Sequence, residues 1–351
     1  MTEKLNDDAT KNSSTIKDGE TMTDEVDIIG LAYEDARREG VQLKGGYLKA
    51  IAPAKVNLFL AVGQPREDGY HNVQNVMHTL LLHDTVYLRT VAAKDYEAET
   101  GQKVETNGIN VHLTCSGGNF TALDIPQEKN LAYKAIMMLA KATNQTADQV
   151  VDIHIEKKIP TQAGLGGGSS DAAATLIAAA AAWGLPKDAP EIEACAQKLG
   201  ADVAFFLRGG CALYSGVGEV FEQEFLPRKD AVLLVKPPVG CHTAEIYRAY
   251  DSNPCEPTQA ELAQVSSAKS AVELPFYNAL QPTVEQLEPE VKEVIEWLGA
   301  HEGVTHAMLT GSGSCVYALG EQSALNALHV EACKRGLWGA STYLVNSRAA
   351  V

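Results

Sequence analysis

Between Ile159 and Ala173 the chain reads IPTQAGLGGGSSDAA, with four glycines and two serines in the seven residues from Gly164 to Ser170, just ahead of an alanine-rich run. Where a strand ends and a helix begins, the first backbone N–H groups lack partners and the positive end of the helix dipole points the same way, which suits a phosphate. Glycine lets the backbone approach an anion and take φ > 0. A tight turn without a ligand is the plain alternative, but so many glycines cost chain entropy that packing alone does not demand. Gly164, Gly166 and Ser169 give G-x-G-x-x-S rather than the dinucleotide G-x-G-x-x-G, and no Lys-Ser/Thr pair follows as a Walker A loop requires.

Other residues invite chemistry too. Lys55 stands two positions from Asn57 on an apolar, strand-like run, so both side chains share one face of a sheet; a solvated edge lysine is the alternative. Asp202 in GADVAFFLRGG precedes an apolar run, where a carboxylate is expensive unless partnered; helix capping after Gly200 explains it equally well. Tyr70 beside His71 sets an aromatic plane next to a donor/acceptor ring, which suits a flat heteroaromatic base, with core packing of Tyr70 as the rival. Thr310-Gly311-Ser312-Gly313-Ser314 is a second glycine-rich turn, either a close approach to an anion or a simple β-turn. Ser169 and Ser170 can cap a helix and offer hydroxyls to Mg²⁺ or phosphate, whereas Asp171 reads as stabilising the helix N-terminus. His71, His78 and His83 are too widely spaced for a helical H-x-x-x-H zinc face, so no protein-built metal site is assigned.

These residues must be held by elements. Strand-like runs at Tyr47–Ile51, Lys55–Val62, Tyr87–Val91, Ile109–Thr114 and Val151–Glu156 mostly precede the first long helices, which predicts an α+β layer with an antiparallel or mixed sheet. Helices are expected at Lys129–Ala142, at Ser169–Trp183 with Ser169 or Ser170 as N-cap and Gly184 past its end, and at Pro190–Leu199. The second half reads as strand Ala231–Lys236, a helix from Thr243, helix Glu285–Leu298, strands His306–Thr310 and Cys315–Leu319, helix Gln322–Arg335 and strand Thr342–Val345. That βαββαβ order is ferredoxin-like. The rise in glycine near Gly209–Gly218 suggests domains at 47–213 and 214–351, after a polar, flexible extension at 1–46 in which Glu25–Gln42 has the makings of a short helix.

Composition removes whole classes. With 29 Lys and Arg against 45 Asp and Glu, a net charge of −16, nothing global favours nucleic acid or an anionic membrane. The seven cysteines are odd in number and form no C-x-x-C, which favours a reducing cytoplasm over a disulfide framework. The apolar run at Ala172–Trp183 falls short of the roughly 18–20 residues of a membrane helix, and no signal peptide is read at the N-terminus.

Taken with APAKVNLFLAVGQPREDGYHNVQNVMHTLLLHD at 52–84 and LTGSGSCVYAL at 309–319, the glycine loop resembles that of the kinase superfamily of galactokinase, homoserine kinase, mevalonate kinase and phosphomevalonate kinase, whose loop has the form P-x-x-x-G-L-G-G/S-S-S. The wording of the first motif is narrower and resembles the 4-diphosphocytidyl-2-C-methyl-D-erythritol kinase family, over about residues 47–345. The resemblance implies a two-domain cytoplasmic enzyme with its active site in the cleft. It would use ATP and Mg²⁺ to phosphorylate the 2-hydroxyl of 4-diphosphocytidyl-2-C-methyl-D-erythritol in non-mevalonate isoprenoid synthesis. Pro160, Ala163 to Ser170 would then hold the ATP phosphates, Lys55 would lie near the acceptor hydroxyl and the transferring phosphoryl, and Asp202 would be the general base. Asn57, Tyr70, His71, Gly311, Ser312 and Gly313 would bind the acceptor, and Phe276 in PFYNAL would close the other side of the cytosine. Thr161-Gln162 stands where small residues are commoner, and Ala279 where relatives often carry an acid. A kinase of the same superfamily acting on homoserine or a mevalonate-type acceptor, and a silent ligand-binding relative, are the rival readings.

Overall fold

The computed structural model describes residues 46–105, 108–117 and 126–351. The expectations placed on 1–45, an extension with a helix at Glu25–Gln42, lie outside these residues. Two long strands, β1 (Leu48–Pro65) and β2 (His71–Ala92), pair antiparallel and form the spine of a seven-stranded sheet. β1 joins the two expected runs into one, and its register slips between Pro53 and Lys55 and again between Asn57 and Phe59. Such bulges bend a strand and re-aim its side chains. Here they bracket Lys55 and Asn57.

After β2 the chain forms α1 (Ala93–Thr100), β3 (Ile109–Ser116), α2 (Leu131–Ala142) and β4 (Gln149–Glu156). β4 lies between β2, antiparallel, and β3, parallel. Then come α3 (Gly167–Ala182), α4 (Pro190–Leu199) and α5 (Ala201–Arg208), the last not expected from sequence. α3 is buried nearly all round, from Ser170 to Ala180, which explains its alanines: only a small side chain lets a helix sit among neighbours on every side. Gly166, in the left-handed region, is its N-cap, so Ser169 and Ser170 lie within the first turn rather than capping it.

The hairpin β5 (Cys211–Ser215) and β6 (Val220–Phe225) adds to β2, which moves the sheet boundary from the expected 213/214 to after Phe225. The second sheet has the order β11 (Trp338–Tyr343), β7 (Ala231–Lys236), β10 (Val316–Gly320), β9 (Val304–Leu309), all antiparallel, as the βαββαβ reading requires. Between β7 and β9 run α6 (Thr243–Tyr250), α7 (Gln259–Ser267), a two-residue β8 (Tyr277–Asn278) parallel to β1, α8 (Gln281–Leu287) and α9 (Pro289–Gly299); α10 (Gln322–Lys334) precedes β11. The expected helix Glu285–Leu298 is two helices, because Pro289 has no N–H to continue the first. One apolar cluster takes Val56, Leu58, Phe59 and Val76 from the first sheet and Val232, Leu234, Met308 and Tyr317 from the second, so the two sheets close on a shared core.

Candidate active site

The glycine loop runs between β4 and α3. Ala163 and Leu165 bury their side chains in the shared core, Pro160 is buried beside them, and the Leu165 carbonyl accepts from Lys55 N at 3.0 Å. Gly164 has φ +73, and a Cβ there would come within 2.0 Å of Thr310 O. At Gly166 a Cβ would strike the Phe206 ring at 2.8 Å and crowd Lys55. These two positions admit only glycine. Gly168 instead faces open space. Ser170 N bonds Gly166 O at 2.9 Å, and the N–H groups ahead of it lie at the positive end of the sixteen-residue α3.

Lys55 is 4% exposed and aims its ammonium at Asn57 Oδ1, 2.7 Å away, and at Asp202 Oδ2, 3.9 Å away. Burial lowers the Lys55 pKa, and the Asp202 carboxylate works against that loss of charge. Asp202 sits in the first turn of α5 with its side chain 34% exposed, so it faces solvent on one side and the lysine on the other. Asn57 donates to Asn75 Oδ1 at 2.6 Å and takes a bond from the Thr310 hydroxyl at 3.0 Å. Thr310 thereby joins the second glycine turn to β1. Asn278 Nδ2 holds that turn from behind, donating to Leu309 O at 3.0 Å and Gly311 O at 2.9 Å. Gly311 and Gly313 have φ +56 and +86, and Ser312 Oγ meets Thr243 Oγ1 at 2.9 Å. The structure therefore brings together Lys55, Asn57, Asp202, the glycine loop and the turn at 310–314.

Tyr70 is 64% exposed beside a buried His71. His71 Nε2 bonds Asp251 Oδ1 at 2.6 Å, and the Tyr247 ring lies 5.2 Å from the imidazole. Burial, with the Asp202 carboxylate adding to it, pushes the Tyr247 phenol up to about 12. Phe276 is elsewhere. Its ring stacks on His306 at 4.1 Å with the Arg228 guanidinium 5.3 Å from its centre. Tyr277 pairs with Phe59, whereas His71 pairs with Pro65, a separation of about 20 Å along β1 at strand rise. Tyr247, with the buried Tyr250 edge-on at 6.3 Å, packs beside His71, and Phe276 does not.

Asp171 does not serve the helix terminus. It is buried against Lys157 Nζ at 2.6 Å, and Lys157 also pairs with Asp84, whose other oxygen accepts from Ile159 N at 2.8 Å. Burial pushes the Asp171 carboxyl up to about 7 despite the pull of Lys157, with Asp84 adding to the rise. Lys157, Tyr247 and Asp251 were not picked out by sequence, and Asn75, Asp84 and Thr310, though inside the quoted motifs, were given no role of their own. Their partners are distant in the chain, and only a motif spanning both partners would have signalled them.

A strand-to-helix glycine loop, a buried lysine paired with a half-exposed aspartate and a ferredoxin-like second half describe a two-domain small-molecule kinase. The chain matches the family models "GHMP kinases N terminal domain" at residues 130–210 and "GHMP kinases C terminal" at 260–336. It is 36% identical over 276 residues to the 4-diphosphocytidyl-2-C-methyl-D-erythritol kinase of Pelotomaculum thermopropionicum, covering 78% of this chain and 88% of that protein. To the enzyme of the same name from Delftia acidovorans it is 37% identical over 272 residues, covering 76% and 84%. A crystal structure of 4-(cytidine 5'-diphospho)-2C-methyl-D-erythritol kinase is 31% identical with a TM-score of 0.63, over 84% of this chain and 99% of that one. Homoserine kinase from Cytophaga hutchinsonii, 18% identical with a TM-score of 0.60 over 88% of this chain and 97% of that one, shares the fold. The chain belongs to the 4-diphosphocytidyl-2-C-methyl-D-erythritol kinase family.

Proposed function

We propose that the protein moves the γ-phosphoryl of ATP to the 2-hydroxyl of 4-diphosphocytidyl-2-C-methyl-D-erythritol. What supports this reading is the α3 N-terminus, the Lys55–Asp202 pair, and the His71–Tyr247 pair next in sequence to the exposed Tyr70. The loop N–H groups bind the ATP phosphates. Asp202 accepts the hydroxyl proton as the oxygen attacks, and Lys55 keeps that carboxylate ionised while offsetting charge on the phosphoryl. Gly311, Ser312 and Gly313 present backbone to the acceptor diphosphate, and Asn57 orients the acceptor beside Lys55. The cytosine lies against Tyr70 with Tyr247 in the place expected of Phe276. His71 Nε2 is taken up by Asp251, which leaves Nδ1 to meet the edge of the cytosine.

Ser169, half-buried in the first turn of α3, and Ser170, whose buried hydroxyl has no partner among the described residues, are oxygens that fit a Mg²⁺ held mainly by ATP. Bound with ATP, Mg²⁺ supplies charge neutralisation at the transferring phosphoryl. No group of three or more His, Cys, Asp or Glu is gathered for a metal among the described residues, and none is needed for an ion carried by a nucleotide. The free cysteines fit a reducing cytoplasm, and no described helix is long and apolar enough to cross a membrane. A panel of acceptors with ATP and Mg²⁺ tests the reading: turnover should be highest with the cytidine diphosphate acceptor. Preference for homoserine or a mevalonate phosphate, or no turnover at all, would sink it.

A further inference from the structure

Thr161-Gln162 departs from the small residues expected in the glycine loop, and the mechanism above leaves Gln162 without a role. Its backbone holds φ +52, in the left-handed region that glycine enters freely and a residue with a Cβ enters at a cost. Such a conformation persists where the surroundings fix it. Three contacts do so. The Gln162 carbonyl accepts from Ser314 N at 3.2 Å, its side-chain amide donates to His242 Nδ1 at 3.4 Å, and its Oε1 lies against Gly240, where a Cβ would come within 2.2 Å.

His242 is the N-cap residue of α6, the helix that carries Tyr247 to His71. One side chain therefore leaves the glycine loop two residues before Gly164 and ends on the helix that faces the base slot. A ligand that orders the loop lowers the ordering cost left for α6, and linkage makes the effect reciprocal. We propose that Gln162 is a positioning residue that straps the glycine loop to the N-terminus of α6, so that nucleotide and the cytidine end of the acceptor bind as coupled events. The acceptor half rests on the reading that α6 contributes to the base slot.

The test is calorimetric titration of the full chain with the cytidine diphosphate acceptor, with and without saturating β,γ-imido ATP and Mg²⁺. The wild type should bind acceptor roughly 3- to 10-fold more tightly with nucleotide present, the scale of one or two hydrogen bonds. Gln162→Gly, which relaxes the backbone and deletes the arm, should bring that ratio near one without lowering the melting temperature. Gln162→Met, which keeps length without a donor, should do the same, as should His242→Ala, whose side chain caps nothing in α6. Combining Gln162→Gly with His242→Ala should add no further loss. In turnover, acceptor KM at saturating ATP should rise in these variants with little change in kcat. A wild-type ratio near one, or an undiminished ratio in folded Gln162→Gly and Gln162→Met, overturns the strap. Tyr247→Ala separates the two layers. If it weakens acceptor binding while the Gln162 variants keep the ratio, the strap alone is wrong; if it leaves acceptor binding unchanged, the base-slot reading fails and takes the acceptor half of the strap with it.

Discussion

At the scale of single residues, the Lys55–Asp202 pair is the arrangement most exposed to test. General-base catalysis contributes about 10²–10⁴-fold, so Asp202→Asn should lower kcat by about two or more orders of magnitude and leave ATP KM nearly unchanged. Lys55→Met should lose turnover as well, since it removes the charge that faces the carboxylate at 3.9 Å. A folded Asp202→Asn variant with near-normal kcat would remove the carboxylate from the mechanism. Lys55, Asn57 and Asp202 could be singled out because each lies in a short run of the chain, but local sequence left a solvated lysine and a helix cap open, and only the resemblance implied their roles. The identity of the second aromatic was not legible. Phe276 and Tyr247 look alike in sequence, and only the fold shows that one stacks on His306 and the other faces His71. Base–aromatic stacking is worth about 1–3 kcal/mol, so Tyr70→Ala and Tyr247→Ala should each raise acceptor KM by roughly 5- to 150-fold with ATP KM unchanged. Phe276→Ala should instead lower the melting temperature and spare acceptor KM. The reverse pattern would return the base to Phe276.

At the scale of elements, α3 and the loop before it were legible from glycine, serine and alanine spacing, but the way the helix is anchored was not. Asp171 reaches Lys157 on the strand side of the loop, and Lys157 reaches Asp84 at the bend of β2, a contact across 73 residues. Two carboxylates and one ammonium share this buried place. The Asp171 carboxyl is raised from 3.8 to about 7, so the folded protein holds that proton more tightly than the unfolded chain does. Its contribution is fully present below about pH 4 and is lost as pH rises through about 7. The wild type should therefore lose stability over that window, by up to roughly 1 kcal/mol per pH unit. Asp171→Asn leaves a neutral Asp84–Lys157 pair, so it should flatten this slope and match or exceed the wild type at pH 8. Melting curves between pH 5 and pH 8 decide it, and equal slopes for the two proteins would contradict the charge accounting. The same scale explains the misread helix at 285–298: its apolar stripe, from Val291 to Leu298, lies wholly after Pro289 and so marks only the second of the two helices.

At the scale of the whole molecule, the two-domain order and the ferredoxin-like half followed from the succession of strands and helices, whereas every contact joining the halves lay beyond reach of pattern. Asn57 meets Thr310 across 253 residues, and the Tyr317 hydroxyl donates to Asn57 O across 260. The chain beyond β11 shows the same thing. Leu344, Val345 and Ala349 are buried, Val345 N bonds Thr79 O at 3.0 Å, Ala349 N bonds Phe206 O at 2.8 Å, and Ala350 pairs with Ile51. This segment returns from the second sheet to the first and lies behind α5, which carries Asp202. Deleting residues 344–351 removes a fully buried leucine, worth about 2–5 kcal/mol on its own, and the backbone bonds around it. The melting temperature should fall by roughly 5–10 °C, with kcat falling as α5 loosens. Removing residues 1–45, a polar stretch that precedes every motif, should by contrast leave melting and turnover nearly as they were. The two truncations thus pull apart: if the N-terminal deletion is the damaging one and loss of 344–351 is tolerated, the halves are held together by something other than the returning C-terminal segment.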